Sequence, residues 1–125
     1  MRIYELFEAK LDGDISSLVS SLKARYPLHD LFLAMNSVGD LRIVSIIVDK
    51  EHRHENVGTN VLNEIIRFAD KHNIRLTLSP ALKDKHHGTT SQSRLIKFYK
   101  RFGFVQNKGR NKDFTISDSM YRNPS

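Results

Sequence analysis

The stretch from Leu41 to Ser79 constrains this chain more than any other. Leu41 to Asp49 holds a continuous apolar run, Ile43 to Val48, interrupted only by Ser45, which suits a central strand covered on both faces. A short polar connection, Lys50 to Asn56, leads into a segment from about Val57 to His72. There Val57, Val61, Leu62, Ile65, Phe68 and Ala69 share one helical face, while Asn60, Asn63, Glu64, Arg67 and Lys71 share the other. Asn73 suits the end of that helix because asparagine tolerates the left-handed conformation. Ile74 to Ser79 then reads as a strand closed by Pro80. Strand, helix and strand in this order require a right-handed crossover with its strands parallel.

Simpler elements flank the crossover. Asp14 can cap a helix through about Arg25, with Ile15, Leu18, Val19 and Leu22 on one face and Pro27 beyond its end. Leu31 to Met35 reads as a strand and Asn36 to Asp40 as the hairpin connection to the strand that starts at Leu41. After Pro80 comes a polar loop, Ala81 to Gln92, holding Lys83, Lys85, His86 and His87. A helix opens at Ser91 or Ser93 and ends near Phe102-Gly103, and last strands sit around Phe104 to Gln106 and Phe114 to Tyr121. With 125 residues there is room for one core. The expected architecture is a single α/β (α+β) domain over residues 1–125. Its sheet is mixed and mostly antiparallel, with a parallel strand-helix-strand joint, and is flanked by helices.

Composition removes several chemistries. The chain has no cysteine, so disulfides, Cys-ligated zinc and a thiol nucleophile are excluded. His52, His54, His86 and His87 lack the His-x-x-x-His spacing of a helical metal site, and no metal is expected. Residues 1–8 contain no apolar signal core and Ile46 to Val48 is too short to span a bilayer, so a cytoplasmic protein without membrane contact is expected. A formal charge of +6 favours an anionic partner: nucleic acid, an acidic protein or a phosphorylated cofactor. The sign of the charge does not choose among them.

The chemistry concentrates in two places. At the crossover's first turn stands Arg53-His54-Glu55-Asn56-Val57-Gly58-Thr59. A strand that feeds a tight loop into a helix N-terminus aims unpaired N–H groups and the positive end of the helix dipole at one point, where a phosphate can bind. Gly58 admits close backbone approach, and Thr59 adds a hydroxyl donor; a glycine there can equally serve packing alone. Glu55 is favourable beside an empty helix N-terminus but opposes a bound anion unless it turns to solvent. The second place is Leu95-Ile96-Lys97-Phe98-Tyr99-Lys100-Arg101-Phe102-Gly103-Phe104, with Leu95, Tyr99 and Phe102 at helical spacing and Gly103 as terminator. Phe98, Phe102 and Phe104 read as core residues, whereas the Tyr99 phenol needs a hydrogen-bond partner or a task.

Together these segments resemble the GCN5-related N-acetyltransferase (GNAT) superfamily. The family's cofactor motif, Gln/Arg-x-x-Gly-x-Gly/Ala, is matched by Arg53-x-x-Asn56-x-Gly58, with Asn56 replacing the first glycine; asparagine is the non-glycine residue most at ease with positive φ. The family's Phe-Tyr-x-x-x-Gly-Phe signature is matched by Phe98-Tyr99 and Gly103-Phe104. The resemblance covers roughly Leu41 to Phe104. It implies transfer of an acetyl group from acetyl-CoA to a primary amine by direct attack. By the same resemblance, Ile46 and Val48 give main-chain hydrogen bonds to the pantetheine arm, and Arg53, His54, Glu55, Asn56, Val57, Gly58 and Thr59 form the diphosphate loop. Gln92 stands where many members carry a cofactor-contacting Asn, and Tyr99 lies beside the cofactor sulfur as proton donor to the departing thiolate.

Some members carry a basic Glu on the central strand, but the matching position here is about Arg42, and no base is assigned. The first third has room for one opening helix where many members have two. The acceptor groove is then open, or completed by a second subunit in a homodimer. The acceptor, a protein or small-molecule amine or an aminoacyl-nucleic acid, is not readable. The alternative is a GNAT-fold module of little or no activity that binds nucleic acid or a protein. It draws on the basic clusters Lys97/Lys100/Arg101 and Lys108/Arg110/Lys112. Nucleic acid is the less favoured partner, because such clusters are more often a solvated face.

Overall fold

The computed structural model describes residues 3–53, 55–80 and 92–125; within the first helix, side chains are described for Leu11 and from Gly13 onward. His54, the loop residues Lys83, Lys85, His86 and His87, and the helix start at Ser91 lie outside the described residues. The elements run α1 (Ile3–Arg25), β1 (Leu28–Met35), β2 (Leu41–Val48), α2 (Val57–Lys71), β3 (Leu76–Leu78), α3 (Gln92–Lys100), β4 (Val105–Gln106) and β5 (Met120–Arg122). Short 3-10 turns occupy Lys50–His52 and Gly109–Asn111. The strands form one five-stranded sheet in the order β1-β2-β3-β5-β4, antiparallel throughout except for the parallel pair β2-β3. This is the mixed, mostly antiparallel sheet expected from the sequence, with the parallel pair that the crossover requires.

The β1-β2 ladder is interrupted twice. Phe32 pairs with Ser45 and Leu33 with Ile43, so Val44 is an extra residue on β2. Leu28 pairs with Val48 and Asp30 with Ile47, so His29 is an extra residue on β1. A bulge inverts the alternation of side chains beyond it and bends its strand. Leu41 and Ile43 before the Val44 bulge, and Ile46 and Val48 after it, all join the same core cluster. This inversion makes the sequence look like an unbroken apolar run. The expected coverage of β2 on both faces is therefore corrected: Val44 is 49% exposed, and Phe32 on β1 is 54% exposed. Pairing between β2 and β3 is confined to Leu41–Leu76 and Arg42–Thr77, before the bulge. Beyond it the two strands part.

The buried cluster is built on one side of that sheet. Leu11, Ile15 and Leu22 of α1 meet Leu31, Leu41 and Ile43 of the hairpin and Val61, Leu62 and Ile65 of α2. α1 starts at Ile3 rather than at Asp14. The stripe of Leu11, Ile15, Leu18 and Leu22 passes Gly13, whose helical cost of about 1 kcal/mol is outweighed by the packing on either side. Glu64 of α2 ties the two helices together, accepting from Arg25 Nη2 at 2.6 Å and from Tyr26 Oη at 2.6 Å.

The last strand is also shorter than expected. Phe114 is 90% exposed and β5 begins only at Met120. The intervening chain is held by the buried Asn107, whose Nδ2 donates to the carbonyls of Ile116 (3.0 Å) and Asp118 (3.1 Å) and whose Oδ1 accepts from the Asp113 N–H (2.7 Å). Those side-chain bonds occupy backbone groups that a longer ladder would use.

Candidate functional site

Where β2 leaves β3, a groove of about 680 Å³ opens. One wall is the end of β2 (Ile46, Ile47, Val48). The floor is the connection to α2 and its first turn (Lys50, His52, Arg53, Asn56, Val57, Gly58, Thr59). The opposite wall is one stripe of α3 and its end (Arg94, Leu95, Phe98, Arg101). The bulge sets the width of this groove, since it carries β2 off the line that pairing with β3 would follow.

The turn into α2 is built on Asn56, which adopts the left-handed conformation (φ 59°, ψ 22°) and makes no side-chain capping bond. Asn73, beyond the far end of α2, is also left-handed (φ 58°). The first helical bond runs from the Asn60 N–H to the Asn56 carbonyl at 3.0 Å. The N–H groups of Val57, Gly58 and Thr59 precede it and have no intrahelical acceptor. A Cβ added at Gly58 would meet nothing nearer than Val48 Cγ2 at 3.9 Å, an ordinary contact. Packing therefore does not require glycine there.

Glu55 does not line the groove. Its exposed carboxylate meets His52 Nδ1 at 2.8 Å. That hydrogen bond, helped by the charges of Glu55, Glu51 and Asp49, raises the His52 imidazole above its ordinary value and favours its cationic form.

On α3, Phe98 faces the groove and Tyr99 does not. Tyr99 packs edge-on against Phe98 (5.3 Å between ring centres) and Phe104 (5.6 Å), and joins the edge of the core. Burial pushes its phenol pKa up, so the hydroxyl keeps its proton at neutral pH. Gln92 is half-buried outside the groove lining; its Nε2 donates a long 3.4 Å bond to the Pro80 carbonyl. Of the residues singled out in the sequence, the groove thus gathers Ile46, Val48, Arg53, Asn56, Val57, Gly58 and Thr59. Glu55, Gln92 and Tyr99 stand outside its lining, and His54 is not among the described residues.

Sequence reasoning passed over Lys50, Arg94, Phe98 and Arg101. The signal was present, because Arg94, Phe98 and Arg101 fall at i, i+4 and i+7, a single helical stripe. In the sequence Arg94 carries no assigned role, Arg101 reads as part of a solvated face and Phe98 as core; Phe98 does pack against the core while also lining the groove. The Arg101 guanidinium lies over the Phe98 ring, 5.4 Å from its centre.

At the seam where the strands part, Arg42 Nε approaches the buried Asp118 Oδ1 at 3.2 Å, and Ser79 Oγ donates to the same oxygen at 2.8 Å. Thr77 beside them has a buried hydroxyl with no partner among the described residues. No cluster of His, Cys, Asp and Glu among the described residues could hold a metal ion, and no described helix is long and apolar enough to cross a membrane.

A family model described as an acetyltransferase (GNAT) domain matches residues 26–106. Among solved structures, the chain is similar in fold to Ard1 from Thermoplasma volcanium, with a TM-score of 0.53 and 21% sequence identity. The likeness covers 76% of this chain and 62% of that one, so this chain spans less than two thirds of that protein's length. No curated protein sequence matches it. The matched residues run from the start of the hairpin to β4 and so take in β2, the loop into α2 and the α3 wall of the groove; the chain belongs to the GNAT acetyltransferase family.

Proposed function

We propose that this chain transfers an acetyl group from acetyl-CoA to a primary amine, and that the groove between β2 and α3 is where acetyl-CoA lies. One observation carries the reading. The groove joins an unpaired stretch of strand edge (Ile46 to Val48) to a helix N-terminus at Gly58, where packing leaves room for a Cβ that the chain does not have. The donor set suits the ligand. The N–H groups of Val57, Gly58 and Thr59, reinforced by the dipole of α2 and by Arg53, are matched to a diphosphate. The Ile46 to Val48 backbone is matched to an amide-bearing pantetheine arm laid down like a strand. Glu55, the carboxylate within Arg53 to Thr59, is held by His52 outside the groove lining, so it does not oppose an anion there.

Acetyl-CoA supplies an activated carbonyl and a thiolate leaving group. The neutral amine's nitrogen attacks that carbonyl and gives up one proton to solvent as the amide forms. The C–S bond breaks, and the thiolate takes up a proton from a donor that solvent then reprotonates. Tyr99 is the proposed donor from its Oη, a phenol that carries its proton at neutral pH and packs edge-on against Phe98 of the groove wall. The acceptor amine is unassigned.

Calorimetry and thermal unfolding with acetyl-CoA test the reading. Ligand at a hundred times its dissociation constant should stabilise the fold by about 2.7 kcal/mol, and thiol release should depend on added amine. No stabilisation at millimolar acetyl-CoA overturns it.

A further inference from the structure

The groove is more cationic than a diphosphate requires. Lys50, Arg53, Arg94 and Arg101 line it together with His52, and no carboxylate residue among the described residues does. Arg53 and Lys50 belong to the loop at the α2 N-terminus. Arg94 and Arg101 belong to the opposite wall, about 10 Å apart along the helix axis at 1.5 Å rise per residue. Arg25, Arg42, Arg75 and Arg122 each pair with a carboxylate. Neither Arg94 nor Arg101 takes part in an ion pair among the described residues. The Phe98 face beneath the Arg101 guanidinium restricts its freedom before any ligand arrives.

We propose that Arg94 and Arg101 form a second phosphate site, for the 3′-phosphomonoester of the coenzyme A nucleotide, and that the groove selects thioesters carrying that group over those lacking it. The inference rests on the acyl-CoA reading above. A phosphomonoester brings about two negative charges at neutral pH and its own acceptor oxygens. Arginine forks suit such a group, and a partly enclosed apolar wall of Leu95 and Phe98 strengthens the attraction. The diphosphate has its donors at Gly58 and Arg53. It leaves the α3 arginines, across the groove, without a ligand unless the nucleotide presents a further anion.

The test compares CoA with 3′-dephospho-CoA by titration calorimetry. The wild-type chain should bind CoA more tightly by roughly tenfold or more, the worth of one hydrogen bond to a charged group. The double variant Arg94→Gln/Arg101→Gln should lose that preference while holding dephospho-CoA within about twofold of wild type. Both arginines are exposed and glutamine is a comparable helix former, so the fold should persist. The double variant Lys97→Gln/Lys100→Gln changes the charge of the same helix by as much, outside this groove, and should leave the preference intact. Equal wild-type affinity for the two ligands overturns the proposal while leaving acetyl-CoA binding standing. So does a preference lost equally in the lysine variant, which would trace it to net charge. Failure of both ligands to bind overturns the acyl-CoA reading and this site with it.

Discussion

Gly58 separates a packing role from a binding role more cleanly than any other residue here. Its missing Cβ faces only Val48 Cγ2, at ordinary contact distance, and it lies in the first turn of α2, where alanine is the better helix former. Gly58→Ala should therefore leave the unliganded protein as stable as wild type, or up to about 1 kcal/mol more stable, in thermal unfolding. The same variant should weaken acetyl-CoA binding at least several-fold, because the methyl enters the space the diphosphate needs. A variant that loses stability without ligand would return Gly58 to a packing role. Tyr99 makes the complementary case. Tyr99→Phe keeps the ring contacts with Phe98 and Phe104 and should leave the affinity for acetyl-CoA unchanged. Turnover should fall on the order of 10²-fold if the phenol protonates the leaving thiolate; unchanged turnover removes it from the mechanism. At this scale the sequence was a good guide to backbone and a poorer one to side-chain direction. Asn56 and Asn73 take the positive φ their residue type suggests. Phe98 rather than Tyr99 lines the groove because of the roll of α3 about its axis, which the two adjacent residues alone do not encode and only the Arg94, Phe98, Arg101 stripe hints at.

Among the elements, the ends of the helices depend on a few polar side chains. Arg122 of β5 donates from Nε to the Phe102 carbonyl at 2.8 Å, beyond the end of α3, and from Nη1 to Asp70 of α2 at 2.7 Å. It also lies against Gly103, where an added Cβ would meet Arg122 Nε at 3.3 Å. One side chain thereby fixes α3, and with it the groove's far wall, to the last turns of α2. Arg122→Met should cost about 2–3 kcal/mol in chemical denaturation, the loss of hydrogen bonds to a partly buried charge. Arg122, foremost, holds the Asp70 carboxyl below its usual 3.8. A carboxyl lowered in the folded state stabilises the fold at pH above about 3.8 and loses that contribution as pH falls through its folded value. Asp70→Asn should accordingly be less stable than wild type at neutral pH, with the gap closing only in acid below about pH 3.8. A gap that stays constant into acid would show that the Asp70 charge is not its source. None of this network was legible in the sequence, since its members lie far apart along the chain. The crossover was legible because its period changes from strand to helix and back. The Val44 bulge was not, because an inserted apolar residue only lengthens an apolar run.

In the whole molecule, the sheet consists of two antiparallel blocks, β1-β2 and β3-β5-β4, joined at Leu41–Leu76 and Arg42–Thr77. Helices α1 and α2 bind the first block to the common core, while the ion pair of Arg42 with Asp118 and the Ser79 bond reinforce the joint from the other side. The fold of this arrangement and the family whose model matches residues 26–106 were both visible from motif order alone. The one-helix opening was visible too, although α1 proved longer than its cap at Asp14 implied. The narrow joint has a consequence for how the protein breathes. Amide protons of β2 beyond Ile43 that point towards β3 have no ladder partner there, so they should exchange with deuterated solvent orders of magnitude faster than those bonded to β1. Bound acetyl-CoA would act as the missing rung. Its arrival should slow exchange at those few amides and propagate protection into β3, turning two loosely hinged leaves into one cooperative unit.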